Sequence, residues 1–225
     1  PINQTSLSND MSYNIKYFCI CTLCGLICPE LVFLMSDEKL SDDEFYFFKV
    51  QCLSTSNSDD AFGWLCFTKT RCANKAFFNF LNFQVLIPYI KRLQRTNNST
   101  GNTNVVVTCD GESAQIYPYF STSMLAALDQ INVVIAKLAA SSTAITQPCD
   151  AFKMFSEAKR VADNVSLNDV NMEALVLAKV EAAVAQYEND CGHKHKYSGA
   201  KIAVGLVKCK IGITTALTLS MVAKS

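Results

Sequence analysis

The run Tyr17–Met35, YFCICTLCGLICPELVFLM, limits what this chain can fold into more than any other stretch. It sets four cysteines (Cys19, Cys21, Cys24 and Cys28) in apolar sequence whose one charge is Glu30. Such a run has three fates: a bilayer, a metal, or a core. A spanning helix needs about 20 predominantly apolar residues with few charges. Gly25, the pair Pro29-Glu30 and the acidic Asp37-Glu38 that follows argue against one. The Cys-X-Cys-X2-Cys-X3-Cys spacing would supply four thiolates to zinc or an iron–sulfur cluster. Structural zinc sites, however, pair two short knuckles across a longer loop, and Ile20, Leu23, Leu26 and Ile27 are too apolar for a solvated knuckle. A core segment fits best: a buried strand over 15–23, then a short helix after Pro29, since proline suits a first helical turn. In an extended strand Cys19 and Cys21 share a face and do not bridge each other, so their partners lie elsewhere.

The seven other cysteines, Cys52, Cys66, Cys72, Cys109, Cys149, Cys191 and Cys209, are spread over the later elements, and all eleven are disulfide candidates. Because the count is odd, intrachain pairing leaves at least one thiol free or joined to another molecule. Disulfides persist in oxidising surroundings. Sequons at Asn3, Asn97, Asn98 and Asn164 are compatible with secretion, although no basic-then-apolar leader opens the chain. Pro1 reads as the result of a removed initiator Met or a cleaved leader. Twenty basic and twenty acidic residues cancel. That argues against nucleic acid as a partner, since phosphate binding needs a net basic footprint. Near-zero net charge also removes self-repulsion and favours association.

The 225 residues can bury one core, and a single domain is expected. Residues 1–14 are polar and aperiodic and read as an arm. Phe45–Leu53 and Ala61–Thr70 favour strands, and the turn residues of 54–60 between them suggest a hairpin with a long loop. Asn74 is placed to cap a helix from Lys75 to about Gln94, bent at Pro88. The polar run 97–104 is the best internal boundary. Val105–Cys109 and Ala114–Phe120, joined across Asp110-Gly111, suggest a second hairpin. From Ser121 or Ser123 a helix is expected through Met124, Leu128, Ile131, Ile135 and Leu138, which follow the 3.6-residue period. A second helix opens at Pro148 and Asp150, and a third runs from about Asp169 to Asn189, with Gly192 as its C-cap. The tail from Lys201 to Lys224 reads as two strands, with a continuous helix as the alternative. The fold class is therefore α+β, with strands in the N-terminal half and at the C-terminus, a three-helix block at about 121–190, and disulfide reinforcement.

Chemistry-bearing motifs are sparse. Cys191-Gly192-His193-Lys194-His195 holds both histidines, but it follows a helix C-terminus, where positive charge is favoured on its own account. The sequence shows no Gly-X-Ser-X-Gly elbow and no phosphate-cradling glycine loop. The acid pairs Asp42-Asp43 and Asp59-Asp60 sit in polar loops. No catalytic residue, metal or cofactor is expected, and no membrane.

A neutral, thiol-rich, aromatic-rich chain with an arm and a surplus cysteine points to assembly with itself. In size, the Pro1 start, cysteine load (Cys19, Cys21, Cys24, Cys28, Cys191) and neutrality it resembles the insect-virus occlusion-body matrix proteins of the nudivirus type. The resemblance implies a dense, disulfide-reinforced lattice around virions, assembled inside the infected cell, stable at neutral pH and dissolved in alkali. The alternatives are a secreted or surface disulfide-rich binding glycoprotein and, third, a thiol- or metal-dependent enzyme.

Overall fold

The computed structural model describes residues 15–18, 20–22, 28–51, 61–96, 104–110, 113–139, 156, 159–161, 164 and 170–192. Helices and strands are both present, as the α+β class requires. The arm, most of the boundary loop, the His193–His195 motif and the tail after it lie outside these residues, as does most of the expected middle helix, of which 156, 159–161 and 164 are helical.

Strands β1 (Lys16–Phe18), β2 (Leu31–Ser36), β3 (Tyr46–Gln51) and β4 (Ala61–Thr68) form one sheet in the order β1-β2-β4-β3. The β3–β4 hairpin is antiparallel, as its flanking turn residues predict. The helix expected after Pro29 is instead β2, which pairs parallel with β4 and antiparallel with β1. The reason lies in its sequence: Leu31-Val-Phe-Leu-Met has no polar face, and a parallel strand covered on both sides needs none. Val32 and Leu34 join Cys66 on one face. Phe33, Met35, Leu65 and Phe67 turn to the other, and all are buried.

Each face receives a helix. Over the first lies a continuous helix made of α1 (Lys75–Phe80), a widened turn (Leu81–Leu86) and α2 (Ile87–Thr96). Asn74 caps it as expected, its side-chain oxygen accepting from the Phe77 N–H at 2.9 Å. The irregularity expected at Pro88 falls one turn earlier. Proline has no N–H and its ring crowds the carbonyl four residues back, so the preceding turn opens to a π-helical bond in which the Ile87 N–H reaches the Asn82 carbonyl. On the second face α5 (Val170–Cys191) buries Val180, Val184 and Tyr187, an i, i+4, i+7 stripe. Gly192 follows it at φ +68°, the left-handed C-cap that its position predicts.

The distal half of the long helix carries a second unit. Here β5 (Val105–Cys109) pairs with β6 (Val133–Lys137) in parallel, through α3 (Ser113–Ile116), a 3₁₀ turn (Tyr117–Phe120) and α4 (Thr122–Asp129). Two expectations are corrected. Residues 114–120 form no hairpin strand: Pro118 cannot donate to a ladder and stands in the first turn of the 3₁₀ segment. The helix through Leu138 stops at Asp129, because Asn132 turns left-handed (φ +53°) and Val133-Val-Ile is β-branched. Its apolar spacing fits either structure, and pairing with β5 decides between them. Thus only two of the three expected helices, α4 and α5, are described at length.

Candidate assembly surface and thiol sites

Leu86, Ile87 and Ile90 of the long helix pack against Met124, Leu128, Ile131 and Val133, so the second unit is held by one face of its sheet. Two polar bolts fix it. Buried Asn82 donates to the Phe78 carbonyl at 2.8 Å and accepts from the Tyr119 hydroxyl at 2.9 Å. Gln94 donates to the Ile131 carbonyl at 2.8 Å. Burial, and then the nearby Cys109 thiol, push the Tyr119 phenol up to about 12.

The alternation of β5 and β6 places Val105, Val107, Val133 and Ile135 inward. The opposite face shows Val106 (62% exposed) and Val134 (59%), which are register partners and stand side by side. Parallel sheets are ordinarily covered on both faces. Beside β6, a groove of about 740 Å³ runs along α4, with Leu125, Asp129, Val134 and Lys137 among its walls. Leu125 is 50% exposed.

The cysteines divide by environment. Cys28 and Cys66 lie in the same core cluster, Cys109 is buried at the end of β5, Cys72 is exposed and Cys21 is half-buried. In this structure Cys28, Cys66, Cys72 and Cys109 are thiols. Cys19, Cys24, Cys52, Cys149 and Cys209, and the side chain of Cys191, lie outside the described residues.

Cys28 belongs to a polar knot at the start of β2. Its Sγ donates to Glu30 Oε2 at 3.2 Å. Glu30 is in turn gripped by both terminal nitrogens of Arg92, one at 2.8 Å. Burial and then the Glu30 hydrogen bond push the Cys28 thiol up to about 12. Burial alone raises Cys66 well above its ordinary value, and burial with Asp110 raises Cys109. Catalytic thiolates need the opposite, a lowered pKa in a cationic and accessible setting. Burial also works to raise the Glu30 carboxyl, but the hydrogen bonds from Arg92 and Cys28 outweigh it and hold the group low. Among the described residues no three His, Cys, Asp or Glu side chains are grouped to hold a metal ion. No described helix is long and apolar enough to cross a membrane.

Comparison with protein-family models, curated proteins and solved structures finds no match for this chain.

The Glu30–Arg92 pair and the Val106/Val134 face escape sequence reading. The first joins residues 62 apart. The second appears only once β5 and β6 are known to pair in parallel, because VVVTC and VVIAK carry no polar/apolar alternation that would mark an outward face.

Proposed function

We propose that the protein is a structural, self-assembling protein of the viral occlusion-body type, forming a dense matrix at neutral pH that alkali dissolves. The observation carrying this reading is the Val106/Val134 face, an apolar sheet surface left open to solvent on a chain whose charges cancel. Contiguous exposed apolar surface marks interaction sites, and neutrality removes the repulsion that would keep copies apart. Intermolecular disulfides reinforce the matrix, formed by accessible thiols; exposed Cys72 suits that role better than Cys28 or Cys66, which the core shields. The raised thiols and Tyr119 supply alkali lability, because they stay neutral in the folded chain and ionise readily once it opens.

The test is solubility. Particles of the protein should sediment at pH 7 and dissolve above about pH 10, where Cys, Tyr and Lys groups drive the chain negative. A reductant should hasten dissolution, and a non-reducing gel should show a ladder of covalent oligomers. A freely soluble monomer at pH 7 without reductant would end this reading.

A further inference from the structure

We propose that a cleft between the long helix and α4 receives the acidic loop 41–44 of a second copy of this chain, head to tail. The inference rests on the assembly reading above and names a contact that carries assembly from copy to copy. The cleft, of about 440 Å³, has Phe83, Ile87 and Pro88 among its apolar walls and Lys91, Arg92 and Arg95 as its charges, with no acid in its lining. Arg92 is committed to Glu30. Lys91 and Arg95 form no ion pair among the described residues, and at i, i+4 on one helix they are like-charged neighbours that repel. An anion seated between them relieves that repulsion.

The occupant follows from charge and from distance. Residues 41–44, Ser-Asp-Asp-Glu, are exposed throughout. Asp42 meets Lys69 at 3.3 Å, while Asp43 and Glu44 form no ion pair among the described residues. This loop is pinned to the start of the long helix, where the Asn74 side chain donates to the Asp42 carbonyl at 3.2 Å. The cleft lies toward the far end of the same helix. At about 1.5 Å of rise per residue, Asn74 and Arg95 stand roughly 30 Å apart, so a chain does not bring its own acids to its own cleft. A second copy does. Each copy then offers one acidic end and one basic end, a heterologous contact that leaves both kinds of end free on every pair and so extends. A matrix requires such extension.

The experiment is sedimentation of the full chain at pH 7 with reductant, so that covalent links do not contribute. Lys91→Glu/Arg95→Glu and Asp42→Lys/Asp43→Lys should each weaken self-association by about tenfold or more, since reversal sets like charges together. Mixing the two variants should restore it, because every acidic end then meets a basic one. Rising salt should weaken association of the wild type. All four positions are exposed, and the milder Lys91→Gln/Arg95→Gln and Asp42→Asn/Asp43→Asn should act in the same direction should a reversed variant misfold. Association unchanged in the charge variants overturns this contact while leaving the assembly reading standing. If the cleft variants alone lose association, the acids that fill the cleft lie elsewhere and the head-to-tail contact is wrong. A mixture of folded reversed variants that stays dispersed overturns it too. A wild type that stays monomeric with and without reductant removes both readings together.

Discussion

Gly63 is the residue on which the larger sheet turns. A Cβ there would stand 2.6 Å from the Leu31 carbonyl oxygen and 3.0 Å from the Phe33 ring. The oxygen belongs to the partner strand's backbone, which cannot swing aside like a side-chain tip. Gly63→Ala should therefore destabilise the fold by about 1–3 kcal/mol, toward the upper end, as an overpacked core position does. Urea denaturation measures it, and an unchanged midpoint would show that β2 and β4 lie farther apart. Glu30 offers a test by pH. Its carboxyl is held below the ordinary value of 4.5, so its contribution is complete above that pH and fades as the pH falls through the folded-state value. Arg92→Met removes the strongest influence holding it low. Stability of this variant should fall relative to wild type at pH 6, and the gap should narrow toward pH 2. A gap independent of pH would mean that Arg92 acts by packing alone. In the sequence, Pro29-Glu30 read as a break in an apolar run; that Glu30 is a half-buried anchor depends on Arg92 arriving from another element.

At the scale of elements, the docking of α5 is the clearest case of chemistry joining distant segments. Tyr187 is fully buried, stacks on Phe67 at 4.5 Å and 9°, and donates to Asp37 Oδ2 at 2.6 Å. Asp37 also accepts from the Lys39 N–H through its other oxygen. Tyr187→Phe keeps the ring and removes the hydroxyl, leaving a buried carboxylate short of a donor. It should cost about 1.5–3 kcal/mol, the range for hydrogen bonds to charged groups, and should loosen α5 in hydrogen exchange before the sheet opens. The extent of α5 was legible: a helix is expected from about Asp169 to Asn189, and α5 runs over Val170–Cys191 with Val180, Val184 and Tyr187 as its buried stripe. The long helix and its Asn74 cap were legible too, because caps and proline act over a few residues. Strands β2 and β6 were not. Leu31–Met35 and Val133–Ile135 are apolar runs that suit either a buried helix or a buried strand, and length and periodicity do not separate the two. Their parallel partners, β4 and β5, make the choice.

For the whole molecule the decisive variable is alkali. Cys28 rises from 9.0 to about 12, Tyr119 from 10.0 to about 12, and Cys66 and Cys109 move in the same direction. A raised folded-state pKa gives stability that is complete below the unfolded value and lost as pH climbs through the folded one. The chain should accordingly hold its fold to about pH 9 and lose it between there and pH 12, each deeply buried thiol adding up to about 1.4 kcal/mol per pH unit to the slope. Circular dichroism followed against pH measures this. Cys28→Ala/Cys66→Ala should start less stable at pH 7, through lost packing, yet decline less steeply above pH 9. Equal slopes would show that these thiols do not set the alkaline limit. Composition alone establishes several things here: a chain that folds, carries no net charge, and has more cysteines than a simple core requires. Local periodicity adds the long helix, α5 and the β3–β4 hairpin, since caps, turns and apolar stripes act over a few residues. The parallel pairings, the Glu30–Arg92 and Asp37–Tyr187 links and the open Val106/Val134 face join residues tens of positions apart. Such contacts are chosen by burial and hydrogen-bond satisfaction summed over the whole chain, and only the tertiary structure performs that sum.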